Sequence, residues 1–375
     1  MPLKPIRRIV TGNDSIGNSK AVWDDPAPVS HEASMGVNRG HIDFWVGNDP
    51  IPALSGTSDD GNLPCDFPDP QLGGHWRMVQ SPGKQPGYDP AKDTMINKRH
   101  PPKETPEGRR WDRGGMTKYQ RSMYKIEIVD YTILVNGSRA VVLDDCAVKW
   151  NPGDIVIDVG AWYQWSSRTP EGGDVPFDMI SAKFVDGPVG LAQSNDKLLS
   201  GPSATALPPG VKPTRRIVIT GREPYKLPHV SDAPTSDIRI DPARPGYCSQ
   251  SRWGTDGTPC NIVPETPHLP HTIAPPPAGS VVNVINIAPD ANRKGKVGEE
   301  QVRAFFLRMG SPNAPMRRTL TGKRCARWIS SSCRKAKLCW CSTRRKSCAR
   351  KATSSREAAR GMRGAIAQTS LRCWR

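Results

Sequence analysis

Apolar and polar positions alternate most clearly in the middle of the chain. Between residues 124 and 185, short runs rich in β-branched residues are separated by turn residues, a pattern typical of half-buried antiparallel strands. The runs predict strands at 124–135, 138–143, 146–150, 154–159 and 177–185. The turns between the first four are predicted at 136–137, 144–145 and 151–154. Five short strands at this spacing indicate a mainly β domain, built as a sandwich or a barrel.

The flanking regions have a weaker pattern. Residues 47–118 are rich in Pro, Gly and Asp and show little periodicity, which predicts long surface loops. Near the end, Val302, Phe305, Phe306 and Met309 recur at helical spacing after two acids and before a glycine. This pattern predicts one packing helix over 299–310.

A short sequence motif that occurs twice divides the chain into two units. RRIVTG occupies 7–12 and RRIVITG occupies 215–221, so the chain starts over near residue 213. Residues 198–213 are rich in Gly, Ser, Ala and Pro, as expected of a linker. We predict a first unit at 1–197, with its barrel at about 120–190, and an incomplete second unit at 214–315.

The formal charge of +17 is confined to the segment 316–375, which holds 18 Lys and Arg against one acid, Glu357. Basic runs beside Trp328 and Trp340 leave nucleic-acid or anionic-surface binding open as a function. The same segment has six of the ten cysteines, but it lacks histidine and any CxxC pair. These features do not favour a zinc site.

No secretory signal and no stretch of ~18 apolar residues is found. We therefore expect a soluble cytoplasmic protein that does not bind membranes, and we regard nucleic acid as the less favoured partner.

The segment 129–165 resembles the cupin family, in particular the small single-barrel cupins found with fungal polyketide gene clusters and often labelled oxidoreductases. The residues that fit the family pattern are Asp130-Tyr131, Gly137, Leu143-Asp144-Asp145, Pro152-Gly153-Asp154, Gly160 and Trp165. The resemblance implies a jelly-roll barrel, a small aromatic or enolic metabolite as ligand, and oxidoreductase, isomerase or cyclase activity. It also implies a homodimer formed through the barrel sheet.

The basic tail shows a related pattern when its codons are considered. If each codon begins one base earlier, residues 327–344 permit a segment that aligns without a gap on 129–145. The same shift over 352–375 permits a Gly-Asp-Ile-Val run, followed by the glycine turn, His and Trp of the family. We therefore predict that 316–375 is an out-of-frame, disordered remnant of a second barrel.

A metal-binding cupin needs two or three imidazoles and a carboxylate that converge inside the barrel. No histidine occurs between His100 and His229. We expect these two histidines to be solvent-exposed. By the resemblance, Tyr124 and Tyr163 stand where relatives have the first and last histidine. We therefore expect neither a metal nor another cofactor in this barrel.

Strand alternation predicts that Tyr124, Glu127, Asp130 and Tyr163 face inward. A tyrosine and a carboxylate in an apolar pocket could perform acid and base chemistry on a phenolic or enolic polyketide. Trp162, Trp165 and Cys146 are the candidate ligand-binding residues. The alternative is a non-catalytic cupin, in which the tyrosines fill the volume of lost histidines, Asp130 bonds the backbone and the tryptophans pack the barrel mouth.

Overall fold

The computed structural model describes most residues between 3 and 308, together with two short strands beyond them. The longer segments outside the described residues are 33–39, 52–57, 64–71, 90–102, 105–109, 113–122, 167–171, 184–203, 221–228, 263–270, 290–297, 309–338 and 341–371. The predicted turn at 144–145, part of the linker and nearly all of the basic tail therefore lie outside the described residues.

The first unit consists of fifteen described strands. They are β1 (Arg7–Asn13), β2 (Ser19–Pro26), β3 (Val29–Glu32), β4 (Gly40–Gly47), β5 (Gly74–Ser81), β6 (Lys103–Glu104), β7 (Arg110–Asp112), β8 (Tyr124–Ile126), β9 (Ile128–Ile133), β10 (Asn136–Gly137), β11 (Arg139–Val142), β12 (Ala147–Trp150), β13 (Ile155–Val159), β14 (Gln164–Ser166) and β15 (Gly173–Lys183). A short 3₁₀ helix, Asp60–Asn62, lies between β4 and β5.

The chain beyond the linker contributes eight described strands and one helix; six strands and the helix lie in the second unit, and the last two strands lie in the basic tail. They are β16 (Arg215–Thr220), β17 (His229–Pro234), β18 (Ile238–Ile240), β19 (Cys248–Thr255), β20 (Cys260–Asn261), β21 (Ser280–Asn286), α1 (Glu299–Arg308), β22 (Cys339–Trp340) and β23 (Arg372–Cys373). The prediction of a mainly β protein is confirmed, and the predicted packing helix is present. No helix in the described part of the chain is long and apolar enough to cross a membrane.

One large sheet organises the molecule, with the strand order β17-β16-β13-β9-β15-β5-β4-β3. A smaller sheet, β12-β11-β14, faces it. Alternating side chains of the large sheet, such as Val156, Phe177 and Met179, pack with Val141 and Trp150 of the smaller sheet in one core. Two sheets closed around such a core are consistent with a cupin-type β barrel, and we call this core the barrel interior.

The other face of the large sheet packs against the second unit. Its residues Tyr131, Ile157 and Ile180 share a core with Trp253 and Val282, which belong to the sheet β18-β19-β21-β22-β23. The Tyr131 hydroxyl lies 2.8 Å from Ser280 Oγ across this contact. In addition, β16 pairs in parallel with β13, so the strand that opens the second unit is part of the first unit's sheet.

Two local predictions are wrong. Residues 74–81, expected in a loop, form the buried strand β5, which pairs with β4 and β15. Its apolar and charged residues alternate, but the loop-like composition on both sides obscures this pattern. Asn136-Gly137 does not form a hairpin turn. These two residues form β10, which pairs with β15, and the flanking strands β9 and β11 lie in different sheets.

Gly137 nevertheless has a positive φ, +78°, as glycines in tight turns often do. The chain crosses here from the large sheet to the small one, and a Cβ at this position would collide with the carbonyl oxygen of Gly172. The conformation therefore serves a change of sheet rather than a tight hairpin.

Candidate active site

Two tyrosines from separate strands meet in the barrel. Tyr124 of β8 and Tyr163, which precedes β14, exchange both backbone hydrogen bonds, at 3.1 and 3.0 Å. Their ring centroids are 4.8 Å apart. Tyr163 is buried, whereas Tyr124 is half-buried. The structure thus brings together the two tyrosines that the resemblance placed at histidine positions.

A row of side chains crosses the inner face of the large sheet. β13 and β9 pair in a register that sets Asp158 directly opposite Asp130. Met179 on β15 and then His75 on β5 continue this row. Because directly opposed residues have Cβ atoms about 5 Å apart, the two buried aspartates share one small region of the barrel interior.

Asp158 is a carboxyl group in a largely apolar setting. Val156, two residues earlier on the same face of β13, packs in the barrel interior, and Asp158 Oδ1 accepts a hydrogen bond from the Ala161 amide at 3.0 Å. Burial raises the pKa of Asp158 to about 8, against the opposing effects of the Ala161 amide and the Tyr163 hydroxyl. Asp158 is therefore mainly protonated at neutral pH and can donate a proton.

Asp130 is the second carboxyl group of this site. It is buried on β9, between Asp158 on one side and Met179 on the other. The site thus has two buried carboxyl groups in directly opposed positions, and burial raises the pKa of Asp158.

Glu127 lies at the bend between β8 and β9 and is half-exposed. Ile126 and Ile128, on either side of it, both pack in the barrel interior. This alternation does not bring Glu127 to the tyrosine pair, although the sequence predicted it to face inward. Its backbone oxygen instead accepts a hydrogen bond from the Ala182 amide at 3.0 Å.

The three predicted binding residues separate into two groups. Trp165 packs edge-on against Tyr163 with centroids 5.2 Å apart, and Cys146, which is not in a disulfide, is half-buried against the same core. Trp162 lies elsewhere, with the Lys125 ammonium 5.2 Å from its ring centroid. Since Lys125 follows Tyr124 in an alternating strand, Trp162 belongs to the outer side of the barrel wall.

A second polar cluster lies on the same face of the large sheet, on β3, β4 and β5. Its members are His31, His41, Asp43, His75 and Arg77. Asp43 Oδ1 accepts hydrogen bonds from Arg77 Nε at 2.6 Å and from His75 Nε2 at 2.9 Å. His31 Nε2 lies 3.2 Å from Asp43 Oδ2. We call these five residues the histidine cluster.

The charges within the histidine cluster shift two pKa values. Burial raises the pKa of Asp43, but the hydrogen bonds from His75 and Arg77 outweigh burial and hold the pKa well below its usual range. Burial, together with the nearby Arg77 charge, lowers the pKa of His41 to about 4. At neutral pH, Asp43 is therefore an anion and His41 is a neutral imidazole.

The second unit contains a Ser-His-Asp arrangement at the position that corresponds to this cluster. Ser249 Oγ lies 2.9 Å from His271 Nε2, and His271 Nδ1 lies 3.2 Å from Asp237 Oδ2. Ser249 is 0% exposed and His271 is 2% exposed. A nucleophile so completely enclosed does not reach a substrate, so we interpret these contacts as a network that joins the 271 segment to β18 and β19.

Asp158 and the histidine cluster were not predicted from the sequence. The signal for Asp158 was a single acid inside the apolar run Ile155–Val159. The signal for the cluster was His41-Ile42-Asp43, since residues two apart on a strand face the same side. The sequence did not show that His31 and His75 lie beside His41 and Asp43, because this depends on how β3 and β5 pair with β4.

No family model matches the chain, and no curated protein matches it. Among solved structures, the cupin domain of Schizosaccharomyces pombe Cnp3 is similar at 8% identity, with a TM-score of 0.23, over 47% of this chain and 87% of that chain. The Clostridium difficile EutQ protein is similar at 9% identity, with a TM-score of 0.22, over 46% of this chain and 94% of that chain. Likenesses this weak carry no argument about function.

Proposed function

We propose that the chain is a cupin-domain protein whose first barrel binds a small enolic or phenolic metabolite and catalyses proton transfer on it without a metal at the tyrosine pair. The observation that carries the proposal is the buried Asp158, with its pKa raised to about 8, opposite Asp130 and beside Tyr163. The resemblance of 129–165 to cupins of polyketide gene clusters supports a role in secondary metabolism.

The chemistry that suits this site is an exchange between keto and enol forms. Asp130 as carboxylate removes a proton from the carbon next to a carbonyl, while Asp158 as carboxylic acid delivers its proton to the carbonyl oxygen. One proton leaves the substrate and one enters it, so no oxidant or reductant is needed. The Tyr163 hydroxyl orients the carbonyl group by hydrogen bonding.

Access to the site lies on the side of the half-buried aromatic residues. Tyr124 and Trp165 are both partly exposed, whereas Tyr163 between them is buried. A flat aromatic ligand can stack on these rings when they separate, with its oxygen directed toward Tyr163. The ring contacts of the free protein, at 4.8 and 5.2 Å, define the surfaces that such a ligand would occupy.

Hydrogen–deuterium exchange on a simple enolisable aromatic ketone tests the proposal. We expect the protein to accelerate exchange at the carbon next to the carbonyl of 2-tetralone, with saturation, at pH 7. Asp158→Asn should lower the rate by at least about 100-fold, because general acid–base groups contribute 10²–10⁴-fold. Tyr163→Phe should lower it less. The matched control is Trp162→Phe, on the outer side of the barrel wall, which should leave the rate unchanged.

Equal rates for the native protein, Asp158→Asn and Tyr163→Phe would contradict catalysis at this site. If 2-tetralone also changed the tryptophan fluorescence of the native protein no more than that of Trp165→Phe, the non-catalytic alternative would replace the proposal. Circular dichroism of each variant shows whether a lost rate reflects a lost fold.

We further propose that the two units arose by duplication. Arg7 pairs with Asp24, and Arg215 pairs with Asp232, at the same 2.6 Å between Nε and Oδ1. Both pairs are 17 residues apart in the chain, and each joins the repeated RRIV strand to the strand after it.

A second correspondence supports the same proposal. The ladder β4–β5 shifts register between Asp43 and Trp45, and the ladder β19–β21 shifts register between Ser251 and Trp253. A bulge at matching positions is a specific feature that two unrelated ladders rarely share.

The out-of-frame origin of the tail remains part of this proposal. β1 pairs with β2 alone among the described strands, and Ile9 is 48% exposed. Its counterpart β16 has β13 on its second edge, and Ile217 is fully buried. A tail translated in the restored reading frame would supply a second-unit counterpart of β13, which would pair with β1 as β13 pairs with β16. Sequencing the transcript across codons 310–375 should reveal a one-base change that restores this strand, and codons that forbid it would exclude the idea.

A further inference from the structure

The histidine cluster has the composition and spacing of a metal centre. One ligand atom each from His31, His41 and Asp43 lie within 4.8 Å of one another. The rings of His31 and His41 have centroids 4.6 Å apart. Ligand atoms at about 2.0–2.2 Å from a common ion are roughly 3 Å apart, so small side-chain rotations bring these three atoms to bonding distance.

The backbone sets up this convergence. His41 and Asp43 are two residues apart on β4 and therefore face the same side of the sheet. The antiparallel register sets His31 of β3 directly opposite His41. The ligands thus come from two hydrogen-bonded strands rather than from loops, and their positions are fixed before any ion binds.

Arg77 and His75 orient the Asp43 carboxylate through one of its oxygens and do not occupy the other. Both donate to Asp43 Oδ1, whereas Oδ2 lies toward His31. Partners of this kind typically fix the orientation of a ligating group. The Arg77 charge also repels a cation, so we expect weaker binding than a site with two carboxylates would give.

The site is open on one side. The His31 side chain is 45% exposed, and His41 is half-buried, whereas the Asp43 side chain is 0% exposed. An ion held at this edge keeps coordination positions for water or for a small ligand, because three protein groups do not complete its coordination.

The cluster is not a requirement of the strand arrangement. The second unit builds the same bulged ladder with Ser249 and Ser251 in place of His41 and Asp43, and with Arg239 opposite Ser249 in place of His31. The metal-ligating types are thus a property of the first unit alone among these two ladders.

We propose that His31, His41 and Asp43 form a divalent transition-metal site, with His75 and Arg77 as positioning residues. Two imidazoles and one carboxylate suit Fe²⁺, Co²⁺, Mn²⁺ or Zn²⁺ and do not suit Ca²⁺ or Mg²⁺, which prefer oxygen ligands. This site is separate from the tyrosine pair and does not depend on the proton-transfer proposal.

Titration of the full chain with Co²⁺, followed by visible absorption, tests the assignment. We expect saturable binding at this site, with a spectrum of nitrogen and oxygen ligands. His31→Ala and His41→Ala should each weaken that binding at least 10-fold, and Co²⁺ should raise the melting temperature of the native protein more than that of His31→Ala. The matched control, His229→Ala, removes an imidazole from β17 and should bind Co²⁺ as the native chain does.

Thiols of the basic tail could also bind Co²⁺, but sulfur ligands produce a charge-transfer band in the near ultraviolet, which distinguishes them. Binding that carries only this band, or binding that His31→Ala and His41→Ala leave unchanged, would overturn the proposal. Because His31 is exposed, His31→Ala should fold, and its melting curve without metal verifies this.

Discussion

Asp158→Asn should make the protein's stability markedly less dependent on pH between about 4 and 8. In the native protein the pKa of Asp158 is raised to about 8, whereas the unfolded value is near 3.8. The folded state therefore keeps a proton that the unfolded chain has released, and stability falls as pH rises through this window. The slope amounts to about 1 kcal/mol per pH unit, and it ends above the folded pKa.

Urea denaturation at several pH values measures this effect as the difference between the native protein and the variant. Asp158→Asn should gain stability relative to the native chain as pH rises from 5 to 8, with little further change above 8. Asp174→Asn is the matched control, because the Asp174 side chain lies in an exposed contact with Asn136. A constant difference between native protein and Asp158→Asn across this range would show that Asp158 is ionised throughout.

Asp43→Asn should cause the largest loss of stability among single changes in the histidine cluster. Arg77 and His75 are almost completely buried, and Asp43 Oδ1 accepts a hydrogen bond from each. Removal of the carboxylate charge takes from the buried Arg77 guanidinium the anion that lies 2.6 Å from its Nε, and breaking a buried pair in this way costs about 3–5 kcal/mol. Thermal and urea denaturation at pH 7 measure the loss.

The control for this change is Asp24→Asn, which removes an anion from the exposed pair with Arg7 and should leave the free energy of unfolding nearly unchanged. The effect of Asp43→Asn should also shrink at acid pH. The folded pKa of Asp43 is depressed, so its contribution is present above the unfolded pKa and is lost as pH falls. Equal effects of Asp43→Asn and Asp24→Asn at pH 7 would contradict the buried ion pair.

The strands that the sequence predicted are those with strong local periodicity. β11 to β13 lie within a residue of their predicted bounds, because alternation and turn residues agree there. β5 was missed, since its partners β4 and β15 are distant in sequence and its flanks have a loop-like composition. The predicted hairpin between the strands on either side of Asn136-Gly137 was also wrong. Gly137 has the positive φ of a hairpin glycine, but the chain uses the same conformation to pass from one sheet to the other.

The candidate site was predictable only in part. Tyr124 and Tyr163 followed from the family resemblance; the structure places them in direct contact, and their role stays a prediction. Asp158 was hidden, because an acid in an apolar strand gives no sign of which residue it opposes. That Asp158 lies opposite Asp130 is known only once the register of β9 and β13 is known.

The central claim is that the barrel interior holds a carboxylic acid that stays protonated at neutral pH. Carbon-13 NMR of protein labelled at aspartate carboxyl groups measures this directly, with the Asp158 resonance assigned by its loss in Asp158→Asn. We predict that this resonance moves with a midpoint near the pKa of about 8. A midpoint close to that of an ordinary aspartate, near 4, would contradict the claim and remove the acid from the proposed reaction.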